Sequence, residues 1–263
     1  MRLTRFAMLC LGLGLAAACS DDDISAPDIP PLAGVRFINA VADTGSVDIR
    51  MIDQVEFSAQ ADQLNFRAGT QHWPTEAKAR HIRVFPNSFN QAITQNHLLD
   101  TTITIAANSR VTLLLTGSAR AKTLKFVTIT DDPTAPAAGS IAARVVNASG
   151  ASVNGYLVDS IATGIADPAA AANVAPLTAS AYVSRAIGKA AVRVTDVGSA
   201  TINASAQGPT ALVLAGALPA AGVNSAGTKF SVYYFPRGVA GSPQNAVATP
   251  GIVWFVDRNP AEQ

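Results

Sequence analysis

Hydrophobic residues in this chain come in short runs, broken every ten or so positions by Gly, Pro, Asn or Asp. That spacing predicts many short strands joined by turns, as in an all-β sandwich or barrel. Several runs alternate as half-buried strands do. Phe37 points opposite to Arg36 and Ile38, and Ile82 and Val84 share one face while His81 and Arg83 take the other. Leu113, Leu114 and Leu115 show no alternation, which predicts a central strand covered on both faces. Amphipathic helical stretches are scarce. The best helix candidate is the alanine-rich piece from Ala166 to Ala175, which contains Pro168 and stops at Pro176.

The pattern repeats. Val35-Arg36-Phe37-Ile38-Asn39-Ala40 returns as Ala143-Arg144-Val145-Val146-Asn147-Ala148, and Ser46-Val47-Asp48-Ile49 faces Ser152-Val153-Asn154-Gly155. Thr70-Gln71-His72-Trp73 lines up with Ser180-Ala181-Tyr182-Val183, and Ile82-Arg83-Val84 with Val192-Arg193-Val194. Leu113 to Gly117 is paired with Leu212 to Gly216, and the offsets drift between 99 and 110. A period this long implies domain duplication rather than a solenoid. The closing runs match too: Lys125–Ile129 before Asp131-Asp132-Pro133, and Ile252–Val256 before Asp257-Arg258-Asn259-Pro260. On this alignment Lys229 to Phe235 is an inserted strand of the second copy. The expected organisation is a leader at 1–18, a tether at 19–33, and β-sandwich copies at 34–135 and 138–263, divided by a short Pro/Ala linker.

The first residues read as a targeting segment. Arg2 and Arg5 precede an apolar run from Phe6 to Ala18, whose 13 residues are too few for a stable bilayer span. Ala16-Ala17-Ala18-Cys19 resembles a bacterial lipobox, in which the cysteine thiol is acylated and the chain cut before it, although Ala16 stands where leucine is usual. The alternative is an ordinary secretory signal cleaved near Ala18. Ser20 after the cysteine resembles the pattern of lipoproteins sent to an outer membrane. The stretch Ser20 to Pro27 is acidic, polar and proline-bearing, hence a flexible tether.

Composition narrows the chemistry. The only cysteines are Cys10 and Cys19, so a body cut before Cys19 has no disulfide and no thiol chemistry beyond the anchor. Charged residues make up 14% and the net charge is +1, without the basic stripe that nucleic-acid binding requires.

The opening Val35 to Asp43 with Ser46-Val47-Asp48-Ile49, the second copy from Arg144 to Ser149, and the ending Ile252 to Pro260 resemble bacterial envelope domains known only as domain of unknown function 4397. The resemblance runs from Val35 to Pro260. It implies tandem immunoglobulin-like sandwiches in lipoproteins or secreted proteins, and it carries no catalytic residues to transfer.

The three histidines, His72, His81 and His97, all lie in the first copy. His72 stands where the second copy has Tyr182, and His81 where it has Ala191, which favours strand side chains over metal ligands. Asp43, Asp48 and Asp53 are spaced by five and read as turn and strand-end aspartates rather than a calcium loop. No G-x-S-x-G elbow or phosphate loop occurs. The expectation is a non-catalytic envelope lipoprotein, attached to the membrane by lipid at Cys19 and needing no cofactor or metal. It would act as a structural, adhesion or ligand-display module. Envelope polysaccharide or another envelope protein is the expected partner class. The alternative is a carbohydrate- or peptidoglycan-binding module that uses surface rings of the second copy, with Tyr233, Tyr234 and Trp254 as candidates.

Overall fold

The computed structural model describes residues 29–54, 61–162, 164–165, 169–212 and 218–262. The chain divides into two units, Met1–Pro30 and Pro31–Gln263. The leader, Cys19 and the tether to residue 28 lie outside the described residues.

The first half of the larger unit starts at β1 (Leu32–Asn39), which is buried throughout from Val35 and takes in the last two residues assigned to the tether. It is followed by β2 (Val47–Met51), β3 (Trp73–Glu76), β4 (Ala79–Pro86), the one-turn helix α1 (Gln91–Thr94), β5 (Leu99–Thr104), β6 (Arg110–Thr116) and β7 (Lys125–Thr130). Two sheets result, ordered β3-β1-β6-β7 and β2-β4-β5. All pairings are antiparallel except β1 with β6, which run parallel because the chain crosses to the other sheet and back between them.

The second half contains β8 (Ser140–Asn147), β9 (Val153–Val158), β10 (Ala171–Val174), β11 (Val183–Ala186), β12 (Ala191–Asp196), β13 (Ile202–Gln207), β14 (Lys229–Phe235) and β15 (Gly251–Arg258). Its sheets are β11-β8-β14-β15 and β10-β9-β12-β13, and β8 pairs with β14 in parallel as β1 does with β6. By pairing, β14 is therefore the counterpart of β6. This corrects the alignment of Leu113–Gly117 with Leu212–Gly216: Leu212 is exposed, and residues 213–217 lie outside the described residues. The strand read as an insertion is the fully buried centre of its sheet. The expected helix at Ala166–Ala175 is also corrected. Its described part forms β10, because Ala171 and Val174 pair with Gly155 and Val153 and are buried in the second core.

Each half has its own core. Val35, Phe37, Leu113 and Leu115 pack on Val47, Ile49, Ile82 and Val84 in the first, and Val145, Phe230 and Val232 pack on Val153, Val192 and Val194 in the second. The opposite faces of β1, β6, β8 and β14 do not meet solvent. Ile38, Leu114, Val146, Tyr233 and Phe235 form a third cluster, so the two four-stranded sheets that contain β1 and β8 pack face to face. Leu113–Leu115 is indeed covered on both sides, with Leu114 in this seam.

Local polar groups explain the recurring Asn-Ala. The Asn39 amide donates to Leu64 O (2.9 Å) and accepts from Val41 N (2.9 Å), and the Asn147 amide donates to Val174 O (2.9 Å) and accepts from Ser149 N (2.9 Å). Each asparagine ties the end of its strand to the segment beside it. The connection between β14 and β15 has 15 residues against 8 between β6 and β7, and the longer one clasps the first half. Val239 N donates to Ala42 O (3.0 Å), and Arg67 Nη2 donates to Pro236 O (2.5 Å) and Thr249 O (2.6 Å).

Gly69 shows how closely the halves approach. A Cβ there would sit 2.6 Å from Phe255 Cε1 and 2.9 Å from Ile38 Cγ1. Gly69→Ala is expected to destabilise the protein by about 1–3 kcal/mol, since a packed aromatic ring must move. A urea titration would check it, and an unchanged midpoint would mean that Phe255 does not press on Gly69.

Candidate functional site

The seam between the halves brings together more ionisable groups than any other buried region among the described residues. Arg36 lies on β1 beside Ile38, so strand alternation carries its side chain into the seam. Its Nε donates to Thr112 Oγ1 on β6 (2.6 Å), its Nη1 to Val256 O (3.1 Å) and its Nη2 to Asp257 Oδ1 (2.5 Å). Asp257 belongs to the second half.

Arg144 on β8 repeats this arrangement in the opposite direction. Its Nε donates to Ser231 Oγ on β14 (2.8 Å), its Nη1 to Thr130 O (2.8 Å) and its Nη2 to Asp131 Oδ1, in the first half. Each hydroxyl passes its own proton onward: Thr112 to Asp131 Oδ2 (2.6 Å) and Ser231 to Asp257 Oδ2 (2.6 Å). Each aspartate has one more donor, His72 Nε2 at 2.8 Å from Asp131 Oδ2 and Tyr182 Oη at 2.7 Å from Asp257 Oδ2. The halves thus exchange ion pairs about an approximate two-fold relation. Side-chain exposure is 1% for Arg36, 6% for Arg144 and zero for both aspartates.

Two arginines and two carboxylates make the quartet electrically neutral. This is the condition under which buried charge is tolerated, because every ion has partners and hydrogen bonds. Burial alone would lower the Arg36 pKa, but Asp257, Tyr233 and Asp131 outweigh it and raise it. Burial alone would raise Asp131, but the bonds from His72 and Thr112 and the charges of Arg36 and Arg144 hold it below the usual carboxylate range. Burial chiefly, with Asp257 beside it, pushes Tyr182 well up, so it stays a phenol. Tyr182 is also flanked by cations, with Arg144 Cζ 4.6 Å and Lys229 Nζ 4.1 Å from its ring centre.

The aromatic platform of the alternative, carbohydrate-binding reading is not formed on β14. Tyr233 and Tyr234 are 0% and 5% exposed, the first in the seam and the second in the second core. Trp254 packs edge-on against Phe230 at 5.3 Å and borders the same core. Alternation does place Tyr233 and Tyr234 on opposite faces, but both faces of β14 are covered, so neither ring is open to a sugar. Cys19 lies outside the described residues.

The aspartates considered for calcium are dispersed. Asp43 accepts from Ser118 Oγ (2.5 Å), Ala119 N (3.0 Å) and Arg120 N (3.1 Å), Asp48 from Gln63 N (2.8 Å), and Asp53 from His81 N (3.2 Å). Each one caps a separate turn or strand end. Among the described residues, no three His, Cys, Asp or Glu side chains gather as a metal site. His81 is at the surface, 2.5 Å from Asp100. His72 instead borders an open groove of about 400 Å³, shared with Gly34, Pro74, Asn108 and Arg110.

Sequence reasoning missed this seam. Part of the signal was present, since arginine and aspartate hold matched places in both copies, Arg36 with Arg144 and Asp131 with Asp257. Thr112 and Ser231 are matched only by the pairing of β6 and β14.

Residues 33–156 match the family model described as Domain of unknown function (DUF4397). The match begins in β1 and ends within β9, so it covers the first half and only the opening of the second, a shorter span than the resemblance suggested. No curated protein matches the chain. Among solved structures, a similar chain is CBMbc, of carbohydrate-binding family CBM26, from Eubacterium rectale Amy13K, crystallised with maltoheptaose. Identity is 12%, the match covers 85% of this chain and 96% of that one, and the TM-score is 0.25. So low a score supports no inference about this chain's ligand.

Proposed function

We propose that this is a non-catalytic lipoprotein of the bacterial cell envelope, anchored through Cys19. Its body is two copies of one β-sandwich domain fused into a display or scaffolding unit. The observation that carries the reading is the seam. The ionisable side chains that the fold gathers most closely, Arg36, Arg144, Asp131 and Asp257, are turned on one another between the halves. Groups so buried and mutually bonded hold surfaces together and leave little capacity for work on a substrate. The matched strand orders of the two halves support duplication. The burial of Tyr233 and Tyr234 removes the support for a sugar-stacking surface on β14. The lipobox resemblance at Ala16–Cys19 supports the anchor, and Ser20 supports the outer membrane. Partners of this body would be another envelope protein or envelope polysaccharide, met at its exposed loops.

Cys19→Ser is expected to move the protein from the membrane pellet to the soluble fraction with its melting temperature unchanged. Fractionating cells that express the two forms checks this. Retention of the variant in the pellet would refute the anchor.

A further inference from the structure

We propose that the seam is an acid-sensitive joint, in which proton uptake by His72 loosens the first half from the second. The geometry makes the case. The His72 side chain is 5% exposed, and its Nε2 must donate to Asp131 Oδ2, since a carboxylate can only accept.

Charged groups face this ring from several elements. Arg36 comes from β1, Arg110 from β6 and Asp131 from the end of β7, while Arg144 of β8 and Asp257 of β15 complete the quartet beyond Asp131. Arg110 is itself paired with Glu262 (2.6 Å). All of these charges cancel, so a proton on His72 leaves the cluster at +1 with no carboxylate to spare. Burial first, then the charges of Arg36 and Arg110, hold the His72 pKa below that of an ordinary histidine, against the pull of Asp131.

A lowered folded pKa means that the loosened state takes up the proton first as pH falls. The tight seam is favoured above about pH 6.5 and is lost as pH drops below that toward the lowered value, with an equilibrium that changes by at most about tenfold per pH unit for one proton. The sister position supplies an internal control, because Tyr182 makes the same bond to Asp257 and carries no proton to gain in this range. The clasp at residues 236–250 contains no His, Asp or Glu, so the halves stay joined there while the seam relaxes.

The test follows the imidazole resonances of the purified intact chain by NMR between pH 8 and 4.5, alongside small-angle X-ray scattering. His72 is expected to titrate below an ordinary histidine, and the radius of gyration to grow with the same midpoint. His72→Tyr and His72→Phe should keep the compact scattering profile to lower pH. Growth of the variants at the wild-type midpoint would overturn the proposal. So would titration of His72 with no change in scattering, and this last comparison decides the matter on the wild-type chain even if neither variant folds.

Discussion

Arg36→Ala is expected to destabilise the protein by about 3–5 kcal/mol, the cost of leaving one member of a buried ion pair without its partner. Asp257 has no exposure through which water could replace the guanidinium, and Thr112 loses the donor that fills one side of its hydroxyl. Asp257→Ala should cost a similar amount by stranding Arg36. The double variant should cost clearly less than the two single losses added together, because neither charge is then left alone. Urea unfolding of the four proteins measures this coupling directly. Strictly additive losses would show that the two residues do not share a bond across the seam.

Tyr233→Ala is the second large loss, again about 3–5 kcal/mol. Its ring stacks on Phe235 at 5.9 Å and 23°, meets Phe255 edge-on at 5.4 Å and 88°, and lies 6.0 Å from the Arg36 guanidinium carbon. Truncation would open a cavity bounded by both halves, where neither can collapse without the other. A ring kept at the surface for a ligand could be removed within about 0.5 kcal/mol. A small loss in the unfolding midpoint would therefore return Tyr233 to the surface and undo the account of β14.

What could be read from the sequence was local. Alternation placed Phe37 and Ile38 on opposite faces, and the run Leu113–Leu115 announced a strand with two covered faces. Aspartates after the closing runs marked Asp131 and Asp257 as equivalent. Alternation says which residues share a face but not what covers it, so it put Tyr233 and Tyr234 on opposite faces and left a surface ring open beside the favoured core or interdomain contact. The β14 assignment failed because its residues, Lys-Phe-Ser-Val-Tyr-Tyr-Phe, share little side-chain chemistry with Arg-Val-Thr-Leu-Leu-Leu-Thr of β6, while the leucines near 212 do. Parallel pairing with the preceding Arg-bearing strand is what makes β6 and β14 equivalent, and such pairing joins positions about 80 residues apart. The buried arginines were similarly hidden. An arginine between apolar neighbours reads as the solvent side of a strand until a second sheet is known to cover it.

The central claim is that two halves, each with its own core, are bonded into one cooperative body by the exchanged ion pairs. Differential scanning calorimetry of the intact chain at neutral pH tests it most directly, with Asp257→Ala as the comparison. The wild type should melt in one transition whose calorimetric and van't Hoff enthalpies agree, and the variant should melt earlier, with the halves separating into two transitions. Two resolved transitions in the wild type, or a variant that melts like the wild type, would contradict it.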